Sequence, residues 1–299
     1  DLPARSGLGS SSSFTVGLLN ALCALKGRHV SKSELAREAI RIEQHVIREN
    51  VGSQDQIWAA YGGLNRIDFN PDDTFTVTPL VLPLQRRLEL QGSILMVFTG
   101  LSRIASEVAG AQIANLDKKK RHVKTMTGMV DEALAVLNAP NRPLNEIGEL
   151  LHEAWMLKRE LTDKVSNPMI DEIYEAGRGA GAIGGKLLGA GGGGFMVFFV
   201  PQDKRAAVRE KLNKLIHVSF AIDNGGSGVS ARGERGGAVQ CENRIDLRGC
   251  KKNIERGCIT VGFRIADNVY WIAMRPGRGQ YRVQARKRVS AQRGERAAA

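Results

Sequence analysis

KLLGAGGGGFMVFFV, residues 186–200, places five glycines within six positions between two apolar flanks. Ordering that many glycines is entropically costly, so the run marks close backbone packing or a ligand that approaches the main chain. A mobile linker is the alternative for a glycine tract, but linkers are not flanked by KLL and FMVFFV. The apolar flank has the length and composition of a buried strand. The next stretches continue as an amphipathic helix, DKRAAVREKLNKL, and a strand, IHVSFAID. Strands and helices alternating over 185–223 point to an α+β layer with helices packed on one side of a sheet.

A second small-residue cluster lies far upstream. GLGSSSS, residues 7–13, runs directly into an apolar pattern expected to be helical over 10–25, with Leu18, Leu19, Leu22 and Leu25 on its apolar face. The first amides of a helix lack internal partners, and the helix dipole adds positive potential there. Glycine lets the backbone come close to a phosphate, and serine adds hydroxyl donors. Gly7, Gly9, Ser10 and Ser11 therefore form a candidate phosphate cradle. The spacing is neither a Walker loop nor a dinucleotide fingerprint. A serine-capped helix after a flexible turn stays open as the plain alternative.

Between the clusters, Ser31 and Glu34 have capping-box spacing and open a helix expected to reach about residue 50. GSQDQ, residues 52–56, begins another short helix. Asp55 at its start is favoured in ionised form and suited to taking a proton from a hydroxyl. A carboxylate such as Glu43 and a serine hydroxyl can share a magnesium ion that also binds nucleotide phosphates. The plain alternatives are a helix N-terminal charge for Asp55 and an exposed helix residue for Glu43. LNRIDFN, TFTVTPL and SILMVFTG are strand candidates. Helical patterns follow over 105–139, over 143–161 with Pro143 in the first turn, and over 169–181 after a break at Asn167 and Pro168.

These pieces, in this order, resemble the GHMP kinase superfamily. PARSGLGSSS resembles its phosphate loop, GKLLGAGGGGF its third motif, and GSQDQ the segment with the catalytic aspartate of the sugar-kinase branch. LGSSSSFTVGLLNAL, QDQIWAAYGGLN, FTGLSR, LLHEAW and SNPMIDEIYE match the pattern of the D-glycero-D-manno-heptose 7-phosphate kinases, and the resemblance spans about residues 1–229. It implies a two-domain α+β fold: a ribosomal-protein-S5-like first domain over 1–100 and a ferredoxin-like second domain with added helices over 101–229. It implies ATP and Mg²⁺, and transfer of the γ-phosphoryl group to the anomeric hydroxyl of a heptose 7-phosphate. On the matching positions, Asp55 is the catalytic aspartate and Ser11 and Glu43 hold magnesium. Gly7, Leu8, Gly9, Ser10, Ser11 and Ser12 bind phosphate, as do Gly189, Ala190, Gly191, Gly192 and Gly193. Arg103, in FTGLSR, is assigned the sugar's 7-phosphate for its guanidinium chemistry, with an ordinary surface arginine as the alternative.

The chain also departs from the pattern. The family's first motif and early strands precede the phosphate loop, whereas here residue 1 already lies in the second motif. A truncation is expected, with part of the first domain's sheet missing and an edge and apolar face exposed. After about Val229 the texture changes. Of a net charge of +12 over 299 residues, 16 basic and 6 acidic groups fall in 230–299, leaving a nearly neutral body. This tail is expected to be partly disordered, or the product of a frameshift or fusion, although ITVGFRIADNVYWIAMRP suits strands. A nucleic-acid-binding tail is the rival, weakened by sparse aromatic interleaving. Cys241, Cys250 and Cys258 lack close zinc-ligand spacing, and Cys23 is alone in the body, so neither a zinc site nor a disulfide framework is expected. No apolar run reads as a membrane span and no secretory signal opens the chain, so the expected compartment is cytoplasmic. Competing functions are a kinase for fucose or galactose and a non-catalytic nucleic-acid-binding remnant of a kinase fold.

Overall fold

The computed structural model describes residues 7–101 and 105–228, together with the backbone of three strands within 259–287. The first helix, α1 (Ser10–Leu25), starts where the serine run predicts. Its buried stripe is Ser12, Val16, Gly17 and Ala21, whereas Leu22 is exposed and Leu18, Leu19 and Leu25 are half-buried. Small side chains allow close approach to α3 (Gln54–Tyr61), so the expected leucine face is not the one that forms the core here. The second helix, α2 (Lys32–Arg41), carries the predicted capping box: Glu34 N–H donates to the Ser31 hydroxyl, and Ser31 N–H to the Glu34 carboxylate. Instead of continuing as an α-helix to residue 50, the chain makes a π-helical turn, Ile42–Val46. Val16, Leu35, Ala36, Ala39, Ile57 and Ala60 form the core of this half, flanked by the hairpin of β1 (Asn65–Phe69) and β2 (Phe75–Pro79).

The second half is built on a four-stranded antiparallel sheet of order β4-β5-β3-β6: β3 (Ile94–Phe98), β4 (Gly184–Leu187), β5 (Phe195–Phe199) and β6 (Ile216–Val218). The continuous apolar run ILMVF reads as an interior strand, and β3 lies between β5 and β6, paired from Ile94 with Phe199 to Phe98 with Phe195. A division at residue 100 therefore separates β3 from the sheet it belongs to. Strand β6 is shorter than the expected 216–223 because it meets only Met96–Phe98 of β3. The helices are α4 (Leu84–Ser93), α5 (Ala105–Asn115), α6 (Lys120–Asn138), α7 (Asn145–Arg159), α8 (Pro168–Gly179) and α9 (Arg205–Lys211). Pro143 lies just before α7, whose N-cap is Leu144; Pro168 occupies the first turn of α8, capped by Asn167. Trp155, Ile170, Tyr174, Leu187, Met196 and Phe198 fill the larger core between α7, α8 and the sheet.

Beyond residue 228, β7 (Ile259–Ile265), β8 (Asn268–Gly277) and β9 (Gln280–Lys287) form an antiparallel sheet; β7 and β8 fall on the stretch expected to suit strands, and β9 stands where partial disorder was expected. The three tail cysteines and Arg103 lie outside the described residues. Among the described residues no helix is long and apolar enough to cross a membrane.

Candidate active site

The two small-residue clusters meet. Gly7 (φ 78°) and Gly9 (φ 65°) both need left-handed backbone, which L side chains seldom adopt. A Cβ placed on Gly189 (φ 71°) would lie 3.1 Å from Gly7 Cα and 3.2 Å from its carbonyl oxygen, and one on Gly7 would lie 3.1 Å from the Leu188 carbonyl oxygen. The phosphate-loop candidate and the third-motif candidate are thus in backbone contact across about 180 residues of sequence, and only glycine fits at the seam.

The 189–194 turn is fixed from outside. Lys158 Nζ donates to the Gly189 carbonyl at 2.6 Å, Gln112 to Ala190 at 2.6 Å, and Asn167 to Gly192 at 3.3 Å. The Thr99 amide and hydroxyl both donate to Gly194 at 2.9 and 2.8 Å. Gly191 and Gly193 pack against the backbones of Val165 and Leu101. With its carbonyls held this way, the turn leaves the amides of Gly189, Ala190 and Gly193 without an acceptor among the described residues. Such amides suit an anion.

Asp55 stands at the start of α3, against the N-cap of α1: a Cβ on Gly9 would lie 3.1 Å from its Cγ and Oδ2. Its side chain opens to a cleft of about 330 Å³ lined by Leu8, Gly9, Ser13, Trp58, Asp223 and Ser227 among others. Although the residue keeps solvent contact, the crowding atoms raise its pKa above the ordinary aspartate value by desolvation. The nearby Glu43 charge adds to that shift.

Glu43 sits on the π-helical turn, only 2% exposed. Its Oε2 accepts the Ser12 hydroxyl at 2.9 Å and also the Gln56 amide. Its Oε1 is buried with no partner, as is Gln56 Oε1. The serine that reaches Glu43 is Ser12. Ser11, expected there from the resemblance, faces solvent, and its carbonyl accepts Thr15. Helix geometry decides this: Ser12 shares the inward face with Val16, four residues on, while Ser11 shares the outward face with Thr15. An orphaned carboxylate oxygen beside a hydroxyl fits a hard cation that takes most of its other ligands from phosphate and water. No cluster of three or more acidic, histidine or cysteine side chains that would hold a metal by itself occurs among the described residues.

Gln56, Asp223, Lys158 and Lys186 were not singled out from sequence, and Trp58 reads there only as a core or interface residue. Gln56 is one residue from Asp55 and could have been found as a polar residue on the core side of α3; the others had no local signal.

Comparison with known proteins agrees with this geometry. The model of the GHMP kinases N terminal domain matches residues 1–63, and that of the GHMP kinases C terminal domain matches residues 132–217. A D-glycero-alpha-D-manno-heptose 7-phosphate kinase from Campylobacter jejuni is 30% identical over 215 residues, covering 72% of this chain and 63% of its own. The bifunctional fucokinase/GDP-fucose pyrophosphorylase of Arabidopsis thaliana is 29% identical, covering 74% of this chain and 21% of its own. Among solved structures, a D-glycero-D-manno-heptose 1-phosphate kinase from Bacteroides thetaiotaomicron superposes with a TM-score of 0.58 at 27% identity, covering 75% of this chain and 64% of that one. The chain thus spans a little under two thirds of the heptose kinases it matches. With both family domains matched and their two glycine-rich motifs in contact, this chain belongs to the GHMP kinases.

Proposed function

We propose that this protein transfers the γ-phosphoryl group of ATP to a sugar-phosphate hydroxyl, with the anomeric hydroxyl of D-glycero-D-manno-heptose 7-phosphate as the acceptor. The observation that carries the proposal is the convergence of the Gly7–Ser12 loop, the Gly189–Gly193 turn and Asp55 at the mouth of α1. Phosphoryl transfer asks little covalent chemistry of a protein; positioning and charge stabilisation dominate. Loop amides and the dipole of α1 hold the phosphates of ATP. Asp55 accepts the proton of the attacking hydroxyl, and its raised pKa makes it a stronger base than an ordinary aspartate. Glu43 and Ser12 are the residues suited to hold magnesium, which when bound neutralises phosphate charge. The cleft beside Asp55 offers Trp58 as an apolar wall and Asp223 as a hydroxyl acceptor, a combination suited to a sugar. Dependence on ATP argues for a cytoplasmic location.

The test is ADP release with a panel of acceptors: the heptose 7-phosphate, fucose, galactose and mevalonate. The heptose phosphate is expected to give the highest kcat/KM by about tenfold or more, since a site built to bond a polar group discriminates strongly against its absence. Preference for fucose or galactose would overturn the acceptor and keep the kinase. No ADP release with any acceptor would overturn the kinase itself.

A further inference from the structure

Lys186 of the third motif and Lys158 of α7 are two lysines for which the mechanism above has no use. Strand geometry places Lys186 on the same face of β4 as Gly184, two residues before it. Gly184 packs against the α7 backbone at Gly148 and His152, so this face of β4 is the one covered by α7. Further along, the last turn of α7 supplies Lys158. Its ammonium donates to Gly189 at 2.6 Å, at the seam where Gly189 rests on Gly7. The helix that supplies Lys158 is therefore the one that covers the face of β4 carrying Lys186. Burial, and secondarily Lys186, push the pKa of Lys158 down to about 7; burial lowers that of Lys186.

The acids of the surrounding elements do not answer this charge. Asp171 on α8 is bonded to Arg159 and Ser166, Glu160 to His122 of α6, and Asp163 to Thr162. On α5, Glu107 is exposed. Lys186 itself has no hydrogen-bond or ion-pair partner among the described residues. Two like charges held half-buried beside a glycine seam, without a counter-charge, are costly unless an anion completes them.

We infer that Lys158 and Lys186 form an oxyanion subsite that takes a phosphate group of the ligand at the Gly189 end of the third motif. The inference rests on the kinase proposal for the identity of the ligand but not for the existence of the site. The phosphate belongs either to the nucleotide's terminal group or to the acceptor's phosphomonoester, and the experiment separates the two.

Binding of tripolyphosphate, ATP, ADP and the heptose 7-phosphate is measured by calorimetry for the intact chain and for Lys186→Met, Lys158→Met and Lys186→Arg, with melting temperature as the control for folding. A nucleotide source predicts that K186M weakens tripolyphosphate and ATP roughly tenfold or more and spares the sugar phosphate; an acceptor source predicts the reverse. K186R restores affinity in either case. Because Lys158 is largely neutral at pH 8, anion binding there should draw in most of one proton in the parent chain and not in K158M. A merely structural lysine would not produce that difference. Unchanged affinity of K186M for all four ligands, with no proton uptake, overturns the subsite. If that result accompanies normal ADP release, the kinase proposal stands without it; tripolyphosphate binding lost in K186M, with no sugar phosphorylated, leaves the subsite standing and the kinase proposal fallen.

Discussion

Replacing Gly9 by alanine tests the central geometry, because two separable costs arise there. The first is conformational. Gly9 has φ 65°, and an L side chain in left-handed backbone costs roughly 1–2 kcal/mol. For a chain of this size that lowers Tm by about 2–8 °C. The second is steric and local to the chemistry: the new Cβ would sit 3.1 Å from Asp55 Cγ and Oδ2. Ordinary carbon contacts fall at about 3.5–4.0 Å, so the carboxylate must retreat by roughly 0.4–0.9 Å. A displacement approaching 1 Å at a reacting group can cost up to about 10²-fold in rate, so G9A should lose about tenfold to 10²-fold in kcat. Gly27 provides the matched control. Its φ is 67°, but a Cβ there meets nothing within 4 Å, so Gly27→Ala carries the strain without the clash. Thermal melts and ADP-release kinetics on both variants separate the terms. Similar Tm losses are expected, with the kcat loss confined to G9A. If G9A keeps kcat within about threefold of the parent chain while melting like G27A, Asp55 is not the group whose position matters.

Four further outcomes follow from the same contacts. Asp55→Asn should abolish turnover while ATP still binds. Its stability effect has a definite sign: the folded pKa is raised, so the native state binds more protons and the aspartate costs stability increasingly as pH rises from the unfolded value through the folded one. D55N should therefore raise Tm relative to the parent at pH 7 and lose that advantage at pH 3; a Tm deficit at pH 7 would contradict the desolvation argument. Glu43→Gln removes the second cause of the Asp55 shift and should move the acidic limb of the kcat/KM profile to lower pH. Ser12→Ala should cost about 1.5–3 kcal/mol by removing one of the two donors to a buried carboxylate, and raise the magnesium requirement, whereas Ser11→Ala should stay within about 0.5 kcal/mol in a denaturant titration. Gly184→Ala would drive a methyl group into the Gly148 carbonyl and should cost about 1–3 kcal/mol or more, read as a fall in the urea midpoint.

What the sequence announced and what it concealed divide along a physical line. Features settled within four or five residues were legible: the capping box of Ser31 and Glu34, the apolar run of β3, and the start of α1 at Ser10. Asp55 and Glu43 were singled out only because their motifs resemble a known pattern; spacing by itself left each as an ordinary helix charge. The π-helical turn that turns Glu43 inward was invisible, since one extra residue per turn leaves no mark on apolar periodicity. That Ser12 rather than Ser11 reaches Glu43 has a cause the sequence did contain. Val16 is a core residue of α1, and its inward neighbour one turn earlier is Ser12; the leucines drew attention to another face. The membership of β3 in the second sheet and the bond of Lys158 to Gly189 depend on contacts across roughly 100 residues and 31 residues, respectively. Such contacts are chosen by which surfaces remain uncovered once local structure has formed, and no local window encodes that choice. The glycines are the exception. Gly7 and Gly189 meet at a backbone seam and Gly9 lies against the Asp55 side chain, each with little room for a Cβ, so the residue type itself recorded a long-range contact. Small residues at both ends of a distant pair were the part of this tertiary contact that the sequence could carry; that the two clusters meet each other came from the resemblance to the family, because glycine marks a close approach without naming its partner.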